Sequence, residues 1–98
     1  MPGSYWVYIL ASQTRGTLYI GVTSRLAERI AEHREGQVVG FTKQYRVTRL
    51  DHCEEFNDVN EAIAREKALK KWRRAWKIEL IERGNPEWRD LWFDLHLA

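Results

Sequence analysis

The sequence of 98 residues contains a single cysteine, Cys53. One thiol cannot close an internal disulfide or build a thiolate zinc site, so we expect Cys53 to be a buried structural thiol. No apolar run approaches the roughly 20 residues that a membrane-spanning helix needs. No basic leader precedes an apolar segment at the N-terminus. These absences predict a cytoplasmic protein without membrane contacts.

The sequence also lacks the patterns of several common enzyme classes. Its histidines, His33, His52 and His96, are too scattered for the ligand spacing of a zinc site. There is no glycine-rich phosphate-binding loop, and no serine or cysteine has a histidine with local support as a nucleophile pair. The length predicts one domain over residues 1–98, and 44% hydrophobic and 31% charged residues are ordinary for a globular protein.

The net charge of the chain is only +2, but positive charge is concentrated in one segment. Between Arg65 and Lys77 there are seven basic residues and one acid, Glu66. A charge run is usually a solvated helix face, whereas a run of nearly one sign favours a surface that contacts phosphates. The distribution therefore favours nucleic acid as a partner.

Apolar periodicity and turn residues predict an alternation of short strands and helices. In chain order they are a strand over 5–10, a turn over 12–16, a strand over 17–23, a helix capped by Thr23 or Ser24 and running to about Arg34, a loop over 36–43, a strand over about 45–54, a helix capped by Asp58 and running to about Lys71, a helical continuation to Arg83, and a short helix opened by Asn85-Pro86-Glu87. Hairpin pairing favours an α/β (α+β) sandwich, in which a small three-stranded, mainly antiparallel sheet is flanked by helices.

The first predicted helix carries Arg25, Arg29 and His33 at four-residue steps along the border of its apolar face. A planar guanidinium donates two hydrogen bonds to a phosphate, and a histidine can move a proton near neutral pH. Salt bridges to Glu28 and Glu32 explain the same arginines equally well. The helix alone leaves both interpretations open.

The second long helix places Glu66 within its apolar face. Burying a carboxylate is costly unless a cation accompanies it. An ion pair with Lys70, four residues later, satisfies this condition. So does a hydrated Mg²⁺ ion, which binds one carboxylate together with waters and phosphate oxygens.

Tyr8 and Tyr19 lie in the two strands of the predicted hairpin. Tyrosine is common in strands, so packing alone accounts for each of them. A phenol ordinarily ionises near pH 10, and a phenolate at neutral pH needs positive charge nearby. Arg29 or a metal ion is a candidate source of that charge.

Together these segments resemble a known family. Trp6-Val7-Tyr8, followed about ten residues later by Tyr19-Ile20-Gly21, resembles the paired signature of the GIY-YIG nuclease superfamily. The helix from Leu26 through Arg29 to His33 resembles the arginine-and-histidine helix of that superfamily. Residues 64–72 resemble the helix with its metal-binding glutamate, and residues 85–91 resemble the tail of its small stand-alone bacterial members.

The resemblance implies hydrolysis of DNA with one divalent ion, Mg²⁺ or Mn²⁺, on a three-stranded antiparallel sheet. The roles that it implies are catalysis by Tyr8, Tyr19, Arg29 and His33, metal binding by Glu66, and a backbone role for Gly21, the glycine that lets the second strand turn into the helix. Either tyrosine is a candidate for activating the attacking water. The sequence departs from the pattern at Asp51-His52-Cys53, where related chains usually have an apolar, aromatic-rich strand.

The sequence therefore predicts a metal-dependent endonuclease for DNA, in repair or recombination. Its predicted contacts with the DNA backbone come from Lys43, Lys70, Arg73 and Arg74. Because larger relatives carry a separate DNA-binding domain, single-stranded or branched DNA is favoured over intact duplex. A non-cleaving nucleic-acid-binding module of the same fold is the alternative, and a protein–protein adaptor with a tryptophan-rich C-terminal helix is a weaker one.

Overall fold

The computed structural model describes residues 4–38 and 40–96. Two strands open the chain and a third follows two helices. The elements are β1 (Tyr5–Ala11), β2 (Leu18–Thr23), α1 (Leu26–Arg34), α2 (Phe41–Tyr45), β3 (Arg49–Phe56), α3 (Val59–Lys71), α4 (Arg74–Gly84) and a final 3₁₀ helix (Leu91–His96). Within the described residues, no helix is long and apolar enough to span a membrane.

The sheet has the strand order β2-β1-β3, and both of its pairings are antiparallel. The predicted α+β class with a three-stranded antiparallel sheet is therefore confirmed. Helices cover both faces of the central strand, so residues 7–11 of β1 are all buried and read as a continuous apolar run. The edge strand β2 is only half covered.

The alternation of β1 divides the core into two layers. Val7, Ile9 and Ala11 pack with residues of α3 and α4 on one face. Tyr8 and Leu10 point to the other face, where α1 supplies the packing partners. Because successive side chains of a strand alternate, Tyr8 is committed to the α1 face once Val7 and Ile9 enter the α3 face.

The helix signals predicted from the sequence have mixed outcomes. Asp58 caps α3 as expected, because its carboxylate accepts a hydrogen bond from the Glu61 amide at 3.1 Å. The prediction that Thr23 or Ser24 caps α1 is wrong. The hydroxyl of Thr23 accepts from the Arg25 amide in the preceding turn, and Arg25, the residue before the helix, makes no side-chain cap.

Two segments differ from the prediction between α1 and β3. The predicted loop over 36–43 ends in the short helix α2, apart from Val39, which lies outside the described residues. Arg46 ends this helix in a left-handed conformation with φ 55°, so the third strand begins only at Arg49 and not near Tyr45. The strand runs through Asp51, where the pairing shifts between Ile9 and Leu10. This bulge accommodates the departure at Asp51-His52-Cys53.

The predicted helix opened by Asn85 is also wrong. The Asn85 side chain is buried, donates to the carbonyls of Asp51 and Arg89, and accepts from the Arg89 amide at 2.9 Å. Trp88 has φ 55° and is buried against the α3 layer. The side-chain amide of Asn85 therefore stabilises a turn, and the helical segment begins only at Leu91.

Candidate active site

Tyr8 is the buried centre of the candidate site. Its hydroxyl lies over Gly21, its partner across the β1–β2 ladder. A Cβ atom at Gly21 would lie 2.4 Å from the Tyr8 Oη atom and 2.5 Å from Cζ. The prediction that Gly21 lets the strand turn into the helix is therefore wrong, because Gly21 lies inside β2. Its missing side chain makes room for the Tyr8 phenol.

His33 connects Tyr8 to α2. Its Nε2 atom lies 3.1 Å from Tyr8 Oη, and its Nδ1 atom lies 3.0 Å from Thr42 Oγ1. All three side chains are buried. Burial lowers the pKa of His33, and the positive charge of Arg29 lowers it further, whereas Glu32 acts in the opposite direction. The imidazole is therefore neutral at pH 7, with one nitrogen that donates and one that accepts.

Arg29 forms a salt bridge, one of the two interpretations that the sequence left open. Its Nη1 atom donates to Glu32 Oε1 at 3.1 Å. The same guanidinium is near enough to the Tyr8 hydroxyl for the two groups to affect each other's pKa, and the phenol raises the pKa of Arg29. Arg29 also borders an open groove with Thr23 and Arg25. One cation thus connects the buried phenol with the surface.

The pKa of the Tyr8 phenol reflects two opposed effects. Burial raises it, while the nearby Arg29 guanidinium lowers it, and the net value is about 12. The negative charge that an ionised Tyr19 would carry and the charge of Glu66 both raise it further. Positive charge from Arg29 is therefore insufficient to produce a phenolate at neutral pH, and Tyr8 carries its proton there.

Tyr19 lies beside this pair on the partly open edge strand. Its ring centroid is 6.3 Å from that of Tyr8 and 5.5 Å from that of His33. On its other side the ring stacks on Phe41 with an interplanar angle of 28°. The two tyrosines predicted from the sequence are therefore brought together, with different degrees of burial.

Glu66 lies on α3. Its carboxylate accepts from Lys70 Nζ at 3.0 Å, and its side chain is only 14% exposed. Its charge raises the pKa of Tyr8, so it acts on the phenol although α3 packs on the opposite face of the sheet. The ion pair with Lys70, one of the two interpretations of Glu66, is present in the structure.

The donor set around Glu66 is compatible with one hydrated divalent ion. The described residues contain no cluster of three or more His, Cys, Asp or Glu side chains that could enclose a metal. Mg²⁺ does not need such a cage, because it keeps several waters and uses one or two carboxylates with phosphate oxygens. A largely buried carboxylate whose one described partner is a lysine fits that requirement.

The four predicted DNA contacts do not form one group. Lys70 lies beside Glu66, and Lys43 projects from α2. Arg73 lies over the ring of Trp76 at 4.5 Å from its centroid. Arg74 donates to the carbonyl oxygens of Arg15 and Gly16, so it fastens the β1–β2 turn to the start of α4. The structure gives the last two arginines local partners away from Tyr8.

Sequence reasoning missed Thr42 and Phe41, which lie in the predicted loop. Thr42 holds His33, and Phe41 stacks on Tyr19. Their helix has five residues and no side-chain cap. The sequence therefore offers no periodic or capping signal from which either contact could be found.

Comparisons with known proteins agree with the fold. The GIY-YIG catalytic domain family matches residues 4–79. A UPF0213 protein of Syntrophus aciditrophicus is 37% identical over 83 residues, which are 84% of this chain and 93% of that protein. A UPF0213 protein of Natronomonas pharaonis is 33% identical over 81 residues, covering 83% of this chain and 94% of the relative. The solution NMR structure of a UPF0213 protein from Bacillus halodurans superposes with a TM-score of 0.56 at 26% identity, covering 89% of this chain and 92% of the other.

Proposed function

The chain belongs to the GIY-YIG catalytic domain family, and from that premise we propose that it is a metal-dependent endonuclease that hydrolyses DNA phosphodiester bonds. Domains of this family are generally endonucleases. The observation that carries the proposal is the buried contact of 3.1 Å between the Tyr8 hydroxyl and the Nε2 atom of neutral His33, beside an Arg29 guanidinium that lowers the pKa of the phenol. A strand tyrosine that served only for packing would not need this polar environment.

In the proposed mechanism Tyr8 and His33 act as one base. Arg29 can only donate, so in this mechanism the Tyr8 oxygen would accept from it, and the phenol proton would be directed to His33 Nε2, which lies 3.1 Å away. His33 then donates from Nδ1 to Thr42 Oγ1. As Tyr8 takes a proton from the attacking water, its own proton passes to His33. This relay avoids a free phenolate, which a pKa of about 12 disfavours at neutral pH.

Arg29 and Tyr19 would act on the phosphate. Charge grows on the non-bridging oxygens as water adds, and a fixed guanidinium stabilises it by donating hydrogen bonds. Arg29 is suited to this because Glu32 holds its orientation while the guanidinium borders an open groove. Tyr19, which is more exposed than Tyr8, is placed to orient the water or the phosphate.

Glu66 would hold the divalent ion, Mg²⁺ or Mn²⁺. When bound there, the ion would supply Lewis-acid polarisation of the phosphate and of the leaving oxygen. Lys70 then has a role in the absence of metal, because it neutralises the buried carboxylate. On DNA binding its ammonium group is available for a backbone phosphate.

The substrate and setting are parts of the same proposal. Lys43 and Lys70 flank the site and would contact the DNA backbone, whereas Arg73 and Arg74 have local partners and a smaller share. Single-stranded or branched DNA suits a site that lies on one small domain. We place the protein in the cytoplasm, in DNA repair or recombination.

The second candidate is a non-cleaving nucleic-acid-binding module of the same fold. The Glu66–Lys70 ion pair favours it, because a lysine already neutralises the carboxylate that a metal would need. Both candidates predict salt-dependent binding of nucleic acid, but only the endonuclease predicts cleavage.

The deciding experiment incubates the protein with labelled single-stranded, duplex and branched DNA, in Mg²⁺, in Mn²⁺ and with a chelator. We expect cleavage that the chelator abolishes. Glu66→Gln should bind DNA without cutting it, and Glu61→Gln, an exposed acid of the same helix, should cut normally. If Glu66→Gln cuts at the wild-type rate, the metal assignment is wrong. If the wild type binds every substrate and cuts none, the non-cleaving module is the correct function.

A further inference from the structure

Two aromatic rings of α2 are exposed beside the site. Phe41 is 45% exposed and Tyr45 is 50% exposed. They lie one helical turn apart, with ring centroids separated by 4.9 Å. Burial of a large apolar side chain stabilises a fold in proportion to the area that it removes from water. Half of that gain is forgone here by two adjacent rings, so the fold alone gives them little reason to be aromatic.

The helix that carries these rings contacts His33 of the candidate active site. Thr42, which lies between them in sequence, is buried and meets His33 Nδ1 at 3.0 Å. Phe41 also stacks on Tyr19, with ring centroids 6.3 Å apart. The rings of Tyr19, Phe41 and Tyr45 therefore form a continuous series that leads from the reacting groups to the surface.

Positive charge borders the same rings. A groove of about 200 Å³ next to Phe41 is lined by Leu18, Tyr19, Ile20, Phe41, Lys70 and Lys77. Lys43 projects from α2 itself. Aromatic faces next to ammonium groups are the combination that binds single-stranded nucleic acid, because bases stack on the rings while lysines contact the phosphates.

We propose that Phe41 and Tyr45 form a stacking platform for an unpaired nucleobase next to the scissile phosphate, with Lys70 and Lys77 on the neighbouring phosphates. The proposal rests on the proposed function, because it places the base beside a phosphate at Tyr8 and Arg29. In a duplex both faces of each base are covered by stacked neighbours. The platform therefore selects DNA whose bases are free to leave the stack.

The test distinguishes binding through the bases from binding through the phosphate backbone. Fluorescence anisotropy measures the binding of a labelled oligothymidine and of an abasic strand with the same number of phosphates, at fixed salt and with a chelator to prevent cleavage. Phe41→Leu and Tyr45→Leu keep an apolar side chain but remove the ring. The control is Phe93→Leu, which removes a 60% exposed ring from the final 3₁₀ helix. Circular dichroism verifies that each variant is folded.

We expect each platform variant to bind oligothymidine roughly 5- to 100-fold more weakly, with abasic binding unchanged and the control equal to wild type. The platform is refuted if the leucine variants bind oligothymidine like wild type, or lose oligothymidine and abasic binding equally. It is also refuted if the wild type does not prefer oligothymidine to the abasic strand. Ring-dependent binding by a wild type that never cleaves would instead refute the proposed function and leave the platform in place.

Discussion

The stability of the protein should decrease as the pH rises toward neutrality. Replacing Asp51 by asparagine should remove most of this pH dependence. Asp51 lies in β3 and is 0% exposed. Among the described residues neither carboxylate oxygen has a hydrogen-bond partner. Burial raises the pKa of this carboxyl, the charge of Arg49 lowers it and that of Asp90 raises it, and the net value is about 7. The folded protein therefore binds a proton at Asp51 more tightly than the unfolded chain does.

The sign and size of the effect follow from that difference. A folded-state pKa of about 7 against an ordinary value of 3.8 means that Asp51 contributes stability in full below about pH 4. The contribution is lost as the pH rises to about 7. One pKa unit corresponds to about 1.4 kcal/mol, so the loss is about 4 kcal/mol. This is a large part of the stability of a small domain.

Urea unfolding of wild type and Asp51→Asn at a series of pH values between about 4 and 8 measures this difference. The wild type should lose stability relative to the variant as the pH rises, with a shift in midpoint of roughly 1–4 M urea. Asp58→Asn, an exposed acid whose capping oxygen is retained, is the control and should run parallel to wild type. Parallel curves for Asp51→Asn would show that Asp51 titrates normally and would refute the reasoning.

Other variants test single contacts of the site. Gly21→Ala should cost about 1–3 kcal/mol of stability and abolish cleavage, because its Cβ displaces the Tyr8 ring; normal cleavage by a folded variant would contradict this. Arg74→Ala should lower the melting temperature by freeing the hairpin turn while reducing the salt dependence of DNA binding only slightly. Lys70→Ala should instead reduce that log–log slope by up to about one unit, and equal slopes for both variants would contradict the assignment. The pKa of His33 is lowered from 6.5, the ordinary value of a histidine. Cleavage should therefore persist at pH values somewhat below 6.5. A cleavage rate that already falls above pH 6.5 would argue against a neutral His33.

The sequence predicted the parts of the site that depend on local periodicity. Tyr8 and Tyr19 were assigned to paired strands by alternation, and Arg29 and His33 to one helix face by four-residue spacing. The contact of Tyr8 with His33 joins residues 25 positions apart. The resemblance to GIY-YIG nucleases assigned both residues to catalysis, but the contact itself was found only in the structure.

The remainder was not predictable because tertiary contacts decide it. The five-residue helix α2 is too short to be stable alone and has no cap. It forms because Thr42 and Val47 are buried against the α1 face. The Asn85 turn has the sequence of a helix start. Its side-chain amide instead donates to the backbone carbonyl of Asp51, 34 residues away. The role of Gly21 likewise depends on a side chain from another strand.

The most direct test of the central claim is single-turnover cleavage by Tyr8→Phe, which removes one oxygen atom from the proposed relay. Tyr5→Phe, in the same strand, is the matched control. We expect Tyr8→Phe to cleave roughly 10²- to 10⁴-fold more slowly with DNA affinity unchanged and with a stability loss of about 1 kcal/mol from the buried hydrogen bond. Tyr5→Phe should cleave normally. If Tyr8→Phe cleaves at the wild-type rate, the Tyr8 hydroxyl does not take part in the reaction, and the proposed active site is wrong.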